Sequence, residues 1–287
     1  MSARPGTLQT SSYASPPVVL SIAGSDSGGG AGMQAGLRTF AALGVHGTSA
    51  ITAITAQNTT EVRALVPVDA HLLEDQIMAV VEDMEVAAAK TGMLASHENV
   101  DVVGRLASSG SLRNLVVDPV LAASTGRQLL DDGAVAAYRE VLIPSALLVT
   151  PNLREAGILL ERDPRSLDSV DSMLDAARAL VALGANAVLV KGGHLRGDTS
   201  PDVLLLRGQS APVLFEQPRI VTMNDHGSGC TLSAAIAAWL ARGAGLEEAV
   251  REAKSFVTVA LSGSASWKLG NGHGPLDHMG WAQGASA

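Results

Sequence analysis

The sequence predicts an α/β fold, a single doubly wound and mostly parallel sheet with helices on both faces. Three observations support it. Short apolar runs alternate with segments of helical periodicity from Val18 onward, several of these runs end in glycine or a polar residue, and no linker or change of composition divides the chain.

Val18–Ala23 is apolar, too short for a helix, and stops at Gly24, so it reads as a buried strand. The glycine-rich residues 27–32 follow, and then Met33, Leu37 and Phe40 recur at helical spacing. Residues 49–56, rich in Ile and Thr, read as a second strand closed by Gln57; Leu73, Ile77, Val80, Val81 and Met84 mark an amphipathic helix. Leu115–Val117 runs into Asp118-Pro119, and residues 146–149 run into Thr150-Pro151. A helix over about 169–183 leads to a strand at 187–190 that ends in Lys191. The last long helix carries Leu246, Ala249, Val250, Ala253, Phe256, Val257, Ala260 and Leu261 on one face, with Glu247, Glu248, Arg251, Glu252 and Lys254 on the other. In such sheets ligands bind beyond the carboxyl ends of the strands, which is where Gly24, Asp118, Thr150 and Lys191 fall.

Composition narrows the partners. With 47% hydrophobic residues, 17% charged, and only three Phe, two Tyr and three Trp, the core is built from Ala, Val and Leu. The net charge of −8 comes from interspersed acids and bases, so no basic stripe exists to neutralise a nucleic-acid backbone. No apolar run approaches the roughly eighteen residues of a membrane span. One cysteine, Cys230, rules out an intrachain disulfide and a cysteine-based zinc site, and it fits a reducing, cytoplasmic setting. Residues 1–17 have no signal-peptide core and read as a loose tail before a domain spanning 18–280.

Several motifs admit both a chemical and a structural reading. Gly30, Gly32 and Ala35 match the G-x-G-x-x-A dinucleotide pattern, but the next strand ends in Gln57-Asn58 instead of the acidic residue a ribose needs, so NAD is set aside. No Gly-Lys-Ser or Gly-Lys-Thr occurs, so there is no P-loop. His226-Gly227-Ser228-Gly229-Cys230 precedes an Ala-rich helix, and its amides with the helix dipole could cradle a phosphate; a flexible loop with an N-capping Ser is the structural reading. Cys230 falls in the first turn of that helix, where the dipole favours the thiolate; otherwise it is a small packing residue.

Asn152 and Glu155 satisfy the spacing of a helix capping box, and Glu155 and Asp118 are also placed to hold Mg²⁺ through water. Asp118 could equally start an Asp-Pro turn, and Lys191 could face phosphate oxygens or solvent. The carboxamide of Gln57 suits the donor and acceptor edge of an aminopyrimidine. His194, His226, His273 and His278 lack ligand-like spacing and read as loop residues, with no zinc expected.

Together, the segments Ser21 to Gly32 (SIAGSDSGGGAG), Thr55 to Thr59 (TAQNT), Lys90 to Leu94 (KTGML), Val117 to Val120 (VDPV), Thr150-Pro151-Asn152, Lys191 to His194 (KGGH) and His226 to Cys230 (HGSGC) closely resemble the hydroxymethylpyrimidine and phosphomethylpyrimidine kinases of thiamine biosynthesis. Their order and spacing match as well, over nearly everything from Val18 to about His278. The resemblance implies a ribokinase-like fold and two successive ATP-dependent phosphorylations of 4-amino-5-hydroxymethyl-2-methylpyrimidine, with Mg²⁺. By the same resemblance Gln57 matches the pyrimidine-binding glutamine, while Gly24, Met93 and Val120 belong to the substrate side. Gly227 and Gly229 match the anion hole for the transferred phosphoryl, and Cys230 matches the cysteine standing where wider relatives place an aspartate base. Asp118, Asn152 and Lys191 match residues near ATP, and Glu155 with Asp118 the metal site. A homodimer is left open.

Three positions depart from the family pattern. Gly36 follows Gln34-Ala35 where Asp is usual, Ser124-Thr125-Gly126 replaces the common Lys-Ser-Gly, and Asp225 stands where Thr is usual. A pyridoxal or pyridoxine kinase is the alternative, since that ring also carries a hydroxymethyl group. A non-catalytic pyrimidine sensor is a third reading, disfavoured because Asp118, Glu155 and Lys191 all remain.

Overall fold

The computed structural model describes residues 15–121 and 133–284. Its chain order is β1 (Val18–Ala23), α1 (Gly32–Ala42), β2 (His46–Ile51), β3 (Ala53–Gln57), β4 (Val62–Pro67), α2 (Ala70–Val81), β5 (Val86–Thr91), α3 (His97–Ser108) and β6 (Leu115–Val117). A continuous helical stretch follows, made of α4 (Ala134–Ala137), a π-helical turn (Tyr138–Leu142) and α5 (Ile143–Ser145). Then come β7 (Leu148–Val149), α6 (Leu153–Leu159), α7 (Val170–Ala182), β8 (Ala187–Lys191), β9 (Thr199–Leu206), β10 (Val213–Pro218), α8 (Ser228–Ala241) and α9 (Leu246–Ser264).

The main sheet has the order β10-β9-β8-β7-β6-β5-β1-β2. Its strands are parallel from β2 through β8, and β9 and β10 extend it antiparallel at one edge. Successive residues of a strand face opposite sides, so each strand feeds two cores. Leu20, Ala89, Val117 and Val149 pack with α2, α3, α6 and α7. Val19, Ala88, Val116 and Leu148 pack with α1, α8 and α9. The α/β class, the mostly parallel sheet and the two helical layers agree with the sequence. Among the described residues no helix is long and apolar enough to cross a membrane.

The main difference lies in residues 49–56, which form two strands instead of one. β2 stays in the main sheet, while β3 leaves it and pairs antiparallel with β4 as a separate flap. Thr52, fully buried between them, makes the break: its amide donates to Ala23 O (3.2 Å) and its hydroxyl to Met93 O (2.5 Å). Apolar periodicity runs straight through this position, so the pattern gave no sign of a turn. β5, whose Val-Ala-Ala-Ala core has little β-propensity, and the antiparallel pair β9–β10 were not read as strands. Met84 lies beyond α2, and the strand expected over 146–149 shortens to β7. Residues 1–14 of the expected tail lie outside the described residues.

Asn99, fully buried at the start of α3, pins the base of the flap. Its Nδ2 donates to Leu94 O (2.8 Å) and Thr52 O (3.3 Å), while Val68 N closes the other end of the flap on Thr52 O (2.8 Å). Asn99→Ala removes the side-chain donor from Leu94 O, leaves Thr52 O with the Val68 amide alone, and should lower stability by about 1–3 kcal/mol in urea unfolding. An unchanged midpoint would show that the flap base is held by its backbone alone.

Candidate active site

Along the carboxyl edge of the sheet, β6 runs into Asp118, β7 into Thr150, and β8 ends in Lys191. Lys191 Nζ donates to Asp118 Oδ1 (2.7 Å) and lies 3.8 Å from Glu155 Oε2; Thr150 Oγ1 donates to the same Asp118 oxygen (3.4 Å). Asn152 and Glu155 do form the capping box of α6, with Asn152 Oδ1 accepting from Glu155 N (2.9 Å) and Glu155 Oε2 from Asn152 N (2.8 Å). The capping box is present as the spacing implies, and it aims a buried carboxylate at Lys191. Burial pushes the Glu155 carboxyl up to about 7; Lys191 pulls it back and Asp118 adds to the rise. Burial also works against the Lys191 charge, but Asp118 and Glu155 outweigh it and hold the ammonium above its ordinary value. Two buried carboxylates thus face one ammonium, an excess of negative charge that suits a hydrated Mg²⁺.

The loop before α8 borders this cluster. Gly227 is the N-cap, with a φ of +85° and no side-chain cap; Ser228 N donates back to Asp225 O (3.2 Å), the Gly229 and Cys230 amides of the first turn carry no side-chain cap, and the N-capping Ser of the structural reading is not used. Glycine is required there, because a Cβ would stand 2.0 Å from Gly30 O. Gly229 faces the charge cluster, since a Cβ on it would meet Lys191 Nζ at 3.2 Å and Asp118 Oδ2 at 3.6 Å. Cys230 follows in the first turn, buried. Burial raises its thiol above the ordinary value; Lys90, the Gly32 amide and Lys191 work to lower it, and Asp118 adds to the rise. The helix terminus therefore does not by itself produce the thiolate that the sequence suggests.

On the acceptor side, Met93 packs in a small apolar cluster with Ala53 and Ala95, against Leu65 and Val120. Gly24 N donates to Met93 O (3.1 Å), which brings Gly24 to the same wall. Gln57 ends β3 on the flap, not on the main sheet as expected. It is held along residues 25–27: Thr55 Oγ1 donates to Ser25 O (2.7 Å) and Ser27 Oγ accepts from Gln57 N (2.7 Å). Its carboxamide lies 3.2 Å from His226 Nε2, and the same ring nitrogen lies 2.9 Å from Asp26 Oδ2.

Two site residues were not singled out by the sequence. Asp26 is buried and accepts from the amides of Gly28 (2.8 Å), Gly30 (3.0 Å) and Ala31 (2.8 Å). Burial alone would raise its carboxyl, but His226 and the amides of Ala31 and Gly28 hold it below its ordinary value. His226 and His278 are loop residues as read, but both are held: His278 is buried, its Nε2 lies 2.8 Å from Thr231 Oγ1, and burial pushes it down to about 4. A carboxylate followed at two, four and five residues by loop amides was the available signal for Asp26.

The loop 226–230 joins the two halves, touching Gln57 through His226 and Lys191 through Gly229. Of the departures from the family pattern, Asp225 has His273 Nδ1 2.6 Å from its Oδ1, with both side chains half-exposed, so its charge is met by His273 at the surface. Gly36 lies in α1 beneath the site. Ser124-Thr125-Gly126 lies outside the described residues.

Residues 26–277 match the family model described as phosphomethylpyrimidine kinase. The hydroxymethylpyrimidine/phosphomethylpyrimidine kinase of Rhizobium meliloti is 48% identical over 263 residues, 91% of this chain and 97% of that one. Among solved structures, an ADP complex of Bacillus subtilis pyridoxal kinase superposes with a TM-score of 0.84 at 36% identity, covering 94% of this chain and 100% of that one. The phosphomethylpyrimidine kinase of Clostridium difficile 630 gives 0.74 at 38% identity, over 85% and 99% of the two chains. With that match running from the glycine loop to the carboxyl-terminal segment that packs on α9, the chain belongs to the phosphomethylpyrimidine kinase family.

Proposed function

We propose that residues 18–280 act as one ATP-dependent phosphotransferase domain that phosphorylates 4-amino-5-hydroxymethyl-2-methylpyrimidine and then its monophosphate, in thiamine biosynthesis and in the reducing cytoplasm that a working Cys230 needs. The observation that carries this reading is the shared loop 226–230, which sets uncapped amides beside Lys191 on one side and fixes Gln57 on the other. Gln57 holds the ring edge, with one end of its carboxamide against His226 and the other left for the ligand. Gly24, Met93 and Val120 form the apolar wall. Asp118, Asn152 and Lys191 hold the nucleotide, and the amides at Gly227 and Gly229 receive the transferred phosphoryl group. Mg²⁺ held through water by Glu155 and Asp118 would add positive charge to the phosphates.

In the first step the hydroxymethyl oxygen bonds to the γ-phosphorus as the bond to the ADP oxygen breaks, and the hydroxyl proton passes to Cys230 Sγ in its thiolate form, which burial of the thiol opposes and nearby cations must therefore favour. In the second step the acceptor is a phosphate oxygen, already anionic near neutral pH, which needs no base. Positioning and charge serve both steps, while the base serves only the first.

A pyridoxal kinase is the second reading, favoured by the fold match to the Bacillus subtilis enzyme. ATP consumption should be measured with the hydroxymethylpyrimidine, its monophosphate and pyridoxal. Turnover of the first two is expected; turnover of pyridoxal alone would overturn the proposal, and so would tight pyrimidine binding without ATP use. In Cys230→Ser, first-step turnover should fall by about 10²-fold or more while the second step changes far less. Near-parental rates on both steps would remove the base role.

Glu155 supplies a pH dependence. A carboxyl raised to about 7 is largely protonated below that pH, and a cation favours its ionised form. Mg²⁺ affinity should therefore rise as pH increases through about 7, with proton release at pH 6.5 that fades by pH 8. Calorimetric titration in buffers of different ionisation enthalpy checks this, and Glu155→Gln should abolish the released proton. Equal proton release in that variant would assign it elsewhere.

A further inference from the structure

Lys90 is fully buried, and its Nζ has no hydrogen-bond partner among the described residues. It lies two residues beyond Ala88 on β5, so its side chain leaves the sheet on the face covered by α1 and α8. Ser21, its register partner on β1, points the same way, and its Oγ is likewise unpartnered. Above this pair α1 offers only Gly36, where a Cβ would begin 3.0 Å from Ser21 Oγ and 3.6 Å from Lys90 Cε. α1 therefore supplies no carboxylate here. A Cβ on Gly92 would stand 3.3 Å from Lys90 Nζ, which puts the ammonium at the carboxyl end of β5, level with the site. The other element on this face is α8, which packs on β5 and carries Cys230 in its first turn.

A buried ammonium without a counter-charge is disfavoured, so an anion formed beside it would be mutually stabilising. We propose that Lys90 is the counter-cation of a Cys230 thiolate, a positioning residue that readies the sulfur to take the acceptor proton. This rests on the base role given to Cys230 above and deepens it. The other groups facing the sulfur are Asp118 after β6, Lys191 on β8 and the Gly32 amide of α1. Lys191 is neutralised locally by Asp118, with Glu155 3.8 Å away, and Asp118 opposes a thiolate. Lys90 is thus the cation facing the sulfur whose charge no described carboxylate claims.

Cys230 is the single cysteine, so its ionisation can be read directly from the pH dependence of iodoacetamide alkylation and of thiolate ultraviolet absorbance, in the free enzyme without nucleotide or acceptor. Lys90→Met keeps the side-chain length and removes the charge. It should move the alkylation profile up by about one pH unit and slow alkylation at neutral pH about tenfold. Gly36→Asp keeps Lys90 and sets a competing carboxylate beside it, so it should move the profile in the same direction. A parental profile in Lys90→Met overturns the proposal; where that variant does not fold, a parental profile in Gly36→Asp does so. Neither measurement involves turnover, so a Cys230→Ser variant that keeps its first-step rate would remove the base role without touching the ion pair.

Discussion

The carboxylate of Asp26 is the contact on which the site depends. It takes three amides of the glycine loop and lies within hydrogen-bond distance of the His226 ring, which begins the loop ahead of α8. Without it, the loop after β1 would leave several amides unpaired in a largely buried position, at a cost of about 1–3 kcal/mol for each buried donor. Seating the loop has two further effects. It brings Gly30 against Gly227 closely enough that no side chain fits, and it places Ser25 and Ser27 where the flap strand bearing Gln57 is held. One buried acid thereby couples the phosphate end and the ring end of the pocket.

The phosphate end is organised by an imbalance of charge. Strand ends of a parallel sheet converge on one edge, and here they deliver Asp118 and Lys191 beside the capping-box carboxylate of α6. A pair would be self-sufficient; the third group is a second carboxyl that burial raises to about 7, so near neutral pH it is partly ionised and a cation would favour its ionised form. Helix capping and the proposed cation binding fall to the same residue, because the N-terminus of α6 opens onto the carboxyl edge of the sheet.

The phosphate end was legible in the sequence because each of its residues closes an apolar run, so the doubly wound pattern alone placed Asp118, Thr150 and Lys191 together. Glu155 was legible for a local reason, its capping-box spacing from Asn152. The ring end was not. Gln57 stands on a flap whose departure from the sheet is set by hydrogen bonds of Thr52, invisible to periodicity. Asp26 and His226 are 200 residues apart, and nothing in either segment points to the other. Pairings made by tertiary closure of distant loops lie outside what spacing rules can reach.

The two lysines at the carboxyl edge differ in how their charge is met, and in the proposed reaction that difference separates the two acceptors. Lys191 is paired with Asp118 and lies 3.8 Å from Glu155, so in the proposed reaction it would act mainly to position phosphate oxygens. Lys90 lies under the site without a paired carboxylate among the described residues, where its field reaches the sulfur and not the solvent. Proton removal matters when the acceptor is an alcohol and is idle when it is a phosphate. A base activated from below, separate from the groups that hold the nucleotide, can be required in one step and silent in the other without rearrangement of the phosphate-binding side.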